Sequence, residues 1–241
     1  MNTITDATIS KEETRVVTEE EREMMEAGLH LGHQTSKLHP RMEKFVVGIR
    51  NTVHIIDLEV TKQKLDLALD YISQVVSKGG IVLFVGTKLP YQNLIKEIGD
   101  LSGMPYVKER WLGGTFTNFS VIKKRVDHFK DLKRQQESGA FEKYTKKEQS
   151  DKQKEITDLE RKFGGLVSLE RIPDVVFICD LTKDDSCFKE ARIKGVKVVA
   201  QVDTNVDPLL VDFPIPANDD AITAVRYILE KVKEVILKSK K

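Results

Sequence analysis

Side chains able to do chemistry are scattered, not grouped, along this 241-residue chain. Asp180, Asp203 and Asp207 fall at or just after the C-terminal ends of apolar, β-rich runs. Open α/β sheets place catalytic carboxylates there, and acids at such positions also cap the next helix or turn. His30 and His33 are three apart, so on a helix they would share a face and could join a carboxylate from elsewhere as metal ligands. Gly32 between them reads instead as a helix end, which favours hydrogen bonding to backbone or phosphate and leaves a metal beside them an open question. His54, inside an apolar run, reads as a half-buried sheet histidine. Gly86-Thr87-Lys88 resembles the end of a phosphate-binding loop, but the glycine required upstream is missing and Leu89-Pro90 stand where Ser or Thr would meet magnesium. No G-x-G-x-x-G follows a strand-like run, and G-x-S-x-G does not occur. Cys179 and Cys187 are eight apart without a C-x-x-C, so neither a disulfide framework nor a cysteine zinc site is indicated. An enzyme working through the three aspartates would thus lack its phosphate cradle, and no cofactor or metal centre is expected.

The densest functional string is KERWLGGTFTNF at 108–119. It combines basic side chains, the only tryptophan, a glycine pair that lets a backbone approach closely, and the hydrogen-bonding Thr117 and Asn118. That mixture suits an RNA-backbone surface. Trp and Phe beside a strand end equally suit a core.

Positioning these residues falls to strand-like runs that alternate with helix-length segments. The run 53–57 precedes a segment in which Leu65, Leu69, Ile72 and Val76 recur at helical spacing. Gly79-Gly80 stops that helix and leads to 81–85, a continuous apolar run of the kind buried on both faces of a parallel sheet. A helix over 91–101, a short strand over 106–108, strands over 175–179 and 196–202 around a helix containing 188–193, and a last helix over 221–237 complete the pattern. Asn218, Asp219 and Asp220 are available to cap that last helix. Alternation of this kind predicts a doubly wound α/β fold with right-handed crossovers. With 40% hydrophobic residues the chain can bury one sizeable core in one or two domains. Its longest apolar runs fall far short of the roughly 20 residues that cross a bilayer.

The net charge of +1 hides an uneven distribution. Residues 1–30 hold three basic against eight acidic residues. The stretch 121–163 holds 13 Lys/Arg against nine Asp/Glu, and 226–241 holds six against two. The acidic start has no apolar core behind a basic flank, unlike a secretory signal, and reads as a disordered tail over 1–18 ahead of a helix beginning near Glu19. The two basic stretches are either solvated helix faces or polyanion-binding surfaces. Within 119–163 apolar residues are sparse: Ile122, Val126, Phe129 and Leu132 mark one helix, Ile156, Leu159 and Phe163 a second, with a break at Ser138-Gly139 and a capping box at Thr145–Glu148. So thin a seam predicts an antiparallel coiled-coil hairpin over 119–165, inserted into an α/β core formed by 19–118 and 166–241.

Several strings together carry a family resemblance: AGLHLGHQT at 27–35, PRM at 40–42, GIRN at 48–51 with HIIDL at 54–58, FVGTK at 84–88, RWLGG at 110–114 with TNF at 117–119, TKKE at 145–148, DTN at 203–205 and IPANDD at 215–220. In this order they are similar to the bacterial form of the small-subunit ribosomal protein two family. The resemblance implies a flavodoxin-like parallel sheet with the coiled-coil hairpin inserted, no enzymatic activity and no cofactor or small-molecule substrate. It implies binding to small-subunit ribosomal RNA and neighbouring ribosomal proteins late in assembly, and docking of the large tandem-OB-fold protein that captures messenger RNA. A cytoplasmic, ribosome-bound protein without a membrane partner follows. Against the family's usual pattern, Asn51-Thr52 varies the hairpin turn, Ala217 replaces a glycine, Val196-Lys197 replaces Ile-Pro before a strand, and the acidic start is longer than common.

If affinity comes from phosphate neutralisation, the candidates are Lys37, Arg41, Lys44 and Arg50 in the N-terminal third, Lys88, Lys108 and Arg110 at strand ends, and Lys123, Lys124 and Arg125 at the hairpin base. Trp111 either stacks on a nucleotide or is buried. Two other function classes compete: the enzyme above, and a coiled-coil scaffold, which would need a long apolar heptad seam where this one is short and polar.

Overall fold

The computed structural model describes residues 18–240, so the tail expected over 1–18 lies outside the described residues except for Thr18. Thr18 caps the first helix, α1 (Glu19–Glu26), in a reciprocal box with Glu21. The chain then forms a three-stranded antiparallel sheet from β1 (Leu31–Gln34), β2 (Val46–Arg50) and β3 (Val53–Ile56), in the order β1-β3-β2. This corrects the expectation that 53–57 opens the parallel sheet. The cause is the turn at Asn51 and Thr52, whose φ angles of 49° and 65° reverse the chain and pair β3 with β2.

The main sheet holds β4 (Val82–Val85), β5 (Tyr106–Val107), β6 (Val175–Ile178), β7 (Lys197–Val202) and β8 (Phe213–Pro216), all parallel, in the order β5-β4-β6-β7-β8. Numbered within the sheet this is 2-1-3-4-5, a doubly wound order that switches direction between β4 and β6. Side chains alternate along the strands. Phe84, Phe177, Val199 and Ile215 face α2 (Leu58–Ser77), α3 (Gln92–Ser102) and α7 (Ile222–Ser239). Leu83, Val85, Val176, Ile178 and Val198 join a second core with residues of α4 (Phe119–Glu137), α5 (Lys146–Phe163) and α6 (Asp185–Lys194). Strand β8 is absent from the pattern read above because Pro214 and Pro216 interrupt its sequence, and its place at the sheet edge is what lets a strand tolerate them.

Helices α4 and α5 lie side by side across the short 138–145 connection, with Lys133 bonded to Glu160 at 2.6 Å and His128 to Glu155 at 3.1 Å. Thr145 and Glu148 form the expected capping box. The buried stripe of Ile122, Val126, Phe129, Leu132, Ile156 and Phe163 is continuous with the second core. The start of α7 differs from expectation: Ala221 is its N-cap, Asn218 Oδ1 accepts from the Asp220 and Ala221 amides, and Asp219 and Asp220 turn elsewhere. No helix among the described residues is long and apolar enough to cross a membrane.

Candidate functional site

Two polar constellations form at the C-terminal ends of the parallel strands. The first gathers around Lys88, just beyond β4, whose Nζ lies 2.6 Å from Asp180, 2.9 Å from Asp220 and 3.2 Å from Asp219. Burial alone would lower the lysine's pKa, but these carboxylates outweigh it and the ammonium is held well above its ordinary range. Asp219 is pushed up to about 7, first by burial and then by the like charges of Asp180 and Asp203. Asp184, pushed up to about 6 by burial, accepts from the Thr87 amide at 3.3 Å and its hydroxyl at 2.7 Å.

His33 joins this cluster from β1. Its Nδ1 lies 3.0 Å from Asp203 Oδ2, an interaction that raises the imidazole pKa against the opposing effect of burial. The approach is close because position 32 is glycine: a Cβ there would sit 2.5 Å from the Thr204 side chain and 3.2 Å from the His54 carbonyl. The Thr204 hydroxyl accepts from the His33 amide at 2.9 Å, so the small sheet is tied to the end of β7. One donor atom each from His33, Asp203 and Asp219 lies within 4.8 Å of the others, a spacing a cation can bridge, and Lys88 already places an ammonium against Asp219. The strand-end aspartates also do the capping expected of them: Asp180 accepts from the Thr182 and Lys183 amides, and Asp207 from the Leu209 amide. His30 and His33 do not share a helical face, because His30 ends the turn before β1 and His33 lies in the extended strand. His54 is 5% exposed, more deeply buried than the half-burial expected, because β3 is the middle strand between β1 and β2.

The second constellation is the loop 108–118 between β5 and α4. It is organised by Glu190 of α6, which is 8% exposed. Its Oε1 accepts from the Trp111 indole at 3.0 Å and the Gly114 amide at 2.7 Å. Its Oε2 accepts from the Phe116 amide at 2.9 Å, and from the Thr117 amide and hydroxyl at 3.0 Å each. Burial would raise the Glu190 pKa, yet this ring of donors holds it below the usual carboxylate range. Gly114, at φ +90°, supplies the left-handed residue that lets successive amides converge on one carboxylate. Trp111 is buried edge-on against Phe116 at 4.8 Å between ring centres, so of its two sequence readings the structure selects burial. The Thr117 hydroxyl, which composition suggested for an RNA backbone, donates to Glu190, and the Gly114, Phe116 and Thr117 amides turn to the same carboxylate.

What remains outward is cationic. Arg110, Lys124 and Arg125 are exposed, Lys108 is half-buried, and none of the four makes an ion pair or side-chain hydrogen bond among the described residues. Lys123 donates to the Glu170 carbonyl at 3.2 Å, and Asn118 is the exposed N-cap of α4 without a side-chain cap bond. The N-terminal candidates lie apart, in and around the small sheet. Arg41 pairs with Asp207 at 2.5 Å, Lys44 sits 4.9 Å above the Phe45 ring, and Lys37 and Arg50 are exposed without an ion pair among the described residues. The structure therefore leaves Lys108, Arg110, Lys124 and Arg125 without ion pairs among the described residues, and places Lys88 among carboxylates. Sequence reasoning missed Glu190 altogether: it lies 73 to 79 residues from its partners, and nothing local in KEARIK signals the role.

A profile of the family described as ribosomal protein S2 matches residues 24–239. A small ribosomal subunit protein uS2 of Dehalococcoides mccartyi is 46% identical over 218 residues, covering 90% of this chain and 89% of the relative. The protein of the same name from Coprothermobacter proteolyticus is 40% identical over 219 residues, covering 91% of this chain and 82% of the relative.

Proposed function

This chain belongs to the ribosomal protein S2 family, a family of structural ribosomal proteins and not an enzyme class, and from that premise we propose that it is a structural constituent of the bacterial small ribosomal subunit in the cytoplasm. It binds small-subunit ribosomal RNA and neighbouring ribosomal proteins late in assembly, and helps dock the large tandem-OB-fold protein that captures messenger RNA. In this reading the sheet is flavodoxin-like, and 119–165 is an antiparallel coiled-coil insertion offered to partners. Neither a small-molecule substrate nor a membrane takes part.

The observation that carries the RNA-binding part is a set of outward cations without carboxylate partners among the described residues, Lys108 and Arg110 on a loop whose shape Glu190 fixes from inside, and Lys124 and Arg125 in the first turns of the helix that follows it. Fixed cations neutralise phosphates at low cost in side-chain and loop ordering. Sedimentation of a tagged copy through sucrose gradients tests the reading. Co-migration with the small subunit at low salt and release at high salt are expected, and migration as a free protein at every salt would overturn it.

A further inference from the structure

A groove opens between the start of the 108–118 loop and the last turn of α5. Arg110 and Gly113 lie on one side, Arg161 and Lys162 on the other, with Gln92 of α3 at its end. Its charge is one-sided, three cations against the single carboxylate of Glu109. Arg110 and Lys162 have no ion pair among the described residues, and Arg161 is held only loosely, 3.5 Å from Glu109 and 3.9 Å from Asp158. Gly113 leaves the floor open: a Cβ there would meet nothing within 4 Å, and its amide donates to no acceptor among the described residues. Beneath the loop, the Trp111 indole is locked to Glu190, so the groove wall is preformed.

Two guanidinium forks and an ammonium facing a bare backbone match a chain of phosphates, which presents repeated bidentate acceptors, and the edges of Trp111 and Leu112 suit the ribose faces between them. We propose that this groove, built jointly by the 108–113 segment and the C-terminal turn of α5, holds the sugar–phosphate backbone of a small-subunit RNA segment. Arg161 and Lys162, remote in sequence from every cation in the loop, are its second wall. The proposal rests on the ribosomal reading above and adds the site and its residues.

Directed cleavage distinguishes the two. Cys179 and Cys187 are both buried, so Lys162→Cys in the full chain gives one surface thiol to which an iron chelate can be attached. Assembled small subunits carrying that chelate are expected to show hydroxyl-radical cuts in their RNA within a few nucleotides of one another. Subunits that incorporate the labelled chain but keep intact RNA would overturn the groove and leave the ribosomal role standing. Failure of the unmodified chain to enter subunits would overturn both. Should the chelate alone block entry, the unlabelled R161Q/K162Q double variant is read instead. Its release from subunits should show a log-log salt slope lower by roughly 1.5 units, as expected for two lost phosphate contacts, and an unchanged slope overturns the groove.

Discussion

The two strand-end constellations use the same residue types to opposite ends. Around Lys88 the carboxylates of Asp180, Asp219 and Asp220 converge on one cation, and the charge is satisfied inside the protein. The 108–118 loop folds around one buried carboxylate, Glu190 of α6, which turns to backbone amides and an indole, so Arg110, and Lys124 and Arg125 at the start of α4, have no ion pair among the described residues. A lysine beyond a parallel strand is thus a clamp in one place and a free charge in the other. The distinction lies in where the nearest carboxylate points, which no count of basic residues reveals.

Glu190 should be the most costly of these residues to replace. Glu190→Ala leaves an indole and three amides without their acceptor in a buried site and should cost about 3–5 kcal/mol in urea denaturation. Emission from Trp111, the only tryptophan, should shift to the red as the loop opens to water. A native midpoint and spectrum would mean that the loop holds its shape without the carboxylate. Next comes Lys88→Met, which leaves three carboxylates facing one another. Because the lysine side chain is 23% exposed and water can relieve part of the repulsion, about 2 kcal/mol of destabilisation is expected. If Lys88 were instead a free surface charge, the same substitution would leave the denaturation midpoint where it was.

Parts of this organisation are legible in the sequence for physical reasons. Strands β4 and β6 are buried on both faces, so their runs are continuously apolar, β7 is apolar but for exposed Lys197 and buried Gln201, and α2 and α7 announce themselves by helical spacing. Strand β8 hides behind two prolines at an edge. The small sheet hides because β2 is exposed at four of its five positions and carries no alternating signal. The cations were visible as a composition, but their division into engaged and free was not. Asp180 and Asp219 lie 92 and 131 residues beyond Lys88, and only the crossover connections bring those strand ends together.

The Lys88 cluster should also make stability depend on pH. Asp219 holds its proton up to about 7 in the folded protein against an ordinary value of 3.8. A carboxyl whose folded pKa is raised stabilises the fold below the unfolded value and loses that contribution as pH climbs through the folded one. Asp219→Asn stays neutral throughout, so the stability difference between variant and native protein should move in the variant's favour by on the order of 1 kcal/mol from pH 4.5 to pH 8. The pKa of His33 is also raised, by Asp203, and its contribution fades in the same direction above the ordinary histidine value. A pH-independent difference would mean that Lys88 already neutralises Asp219 in full.

The smallest expected effect on stability is the most informative about function. Lys124→Ala with Arg125→Ala removes two exposed cations from the first turns of α4, neither with an ion pair among the described residues, so stability should change by no more than about 0.5 kcal/mol. Association with the small subunit should nonetheless weaken, with its log-log salt slope reduced by roughly 1.5 units. Arg41→Ala is the matched control, because Arg41 is already paired with Asp207 and would have to give up that partner to reach a phosphate. Its salt slope should stay near that of the native chain. If Arg41→Ala lowered the slope as much as the double variant, internal pairing would not be what decides which cations this fold offers to RNA.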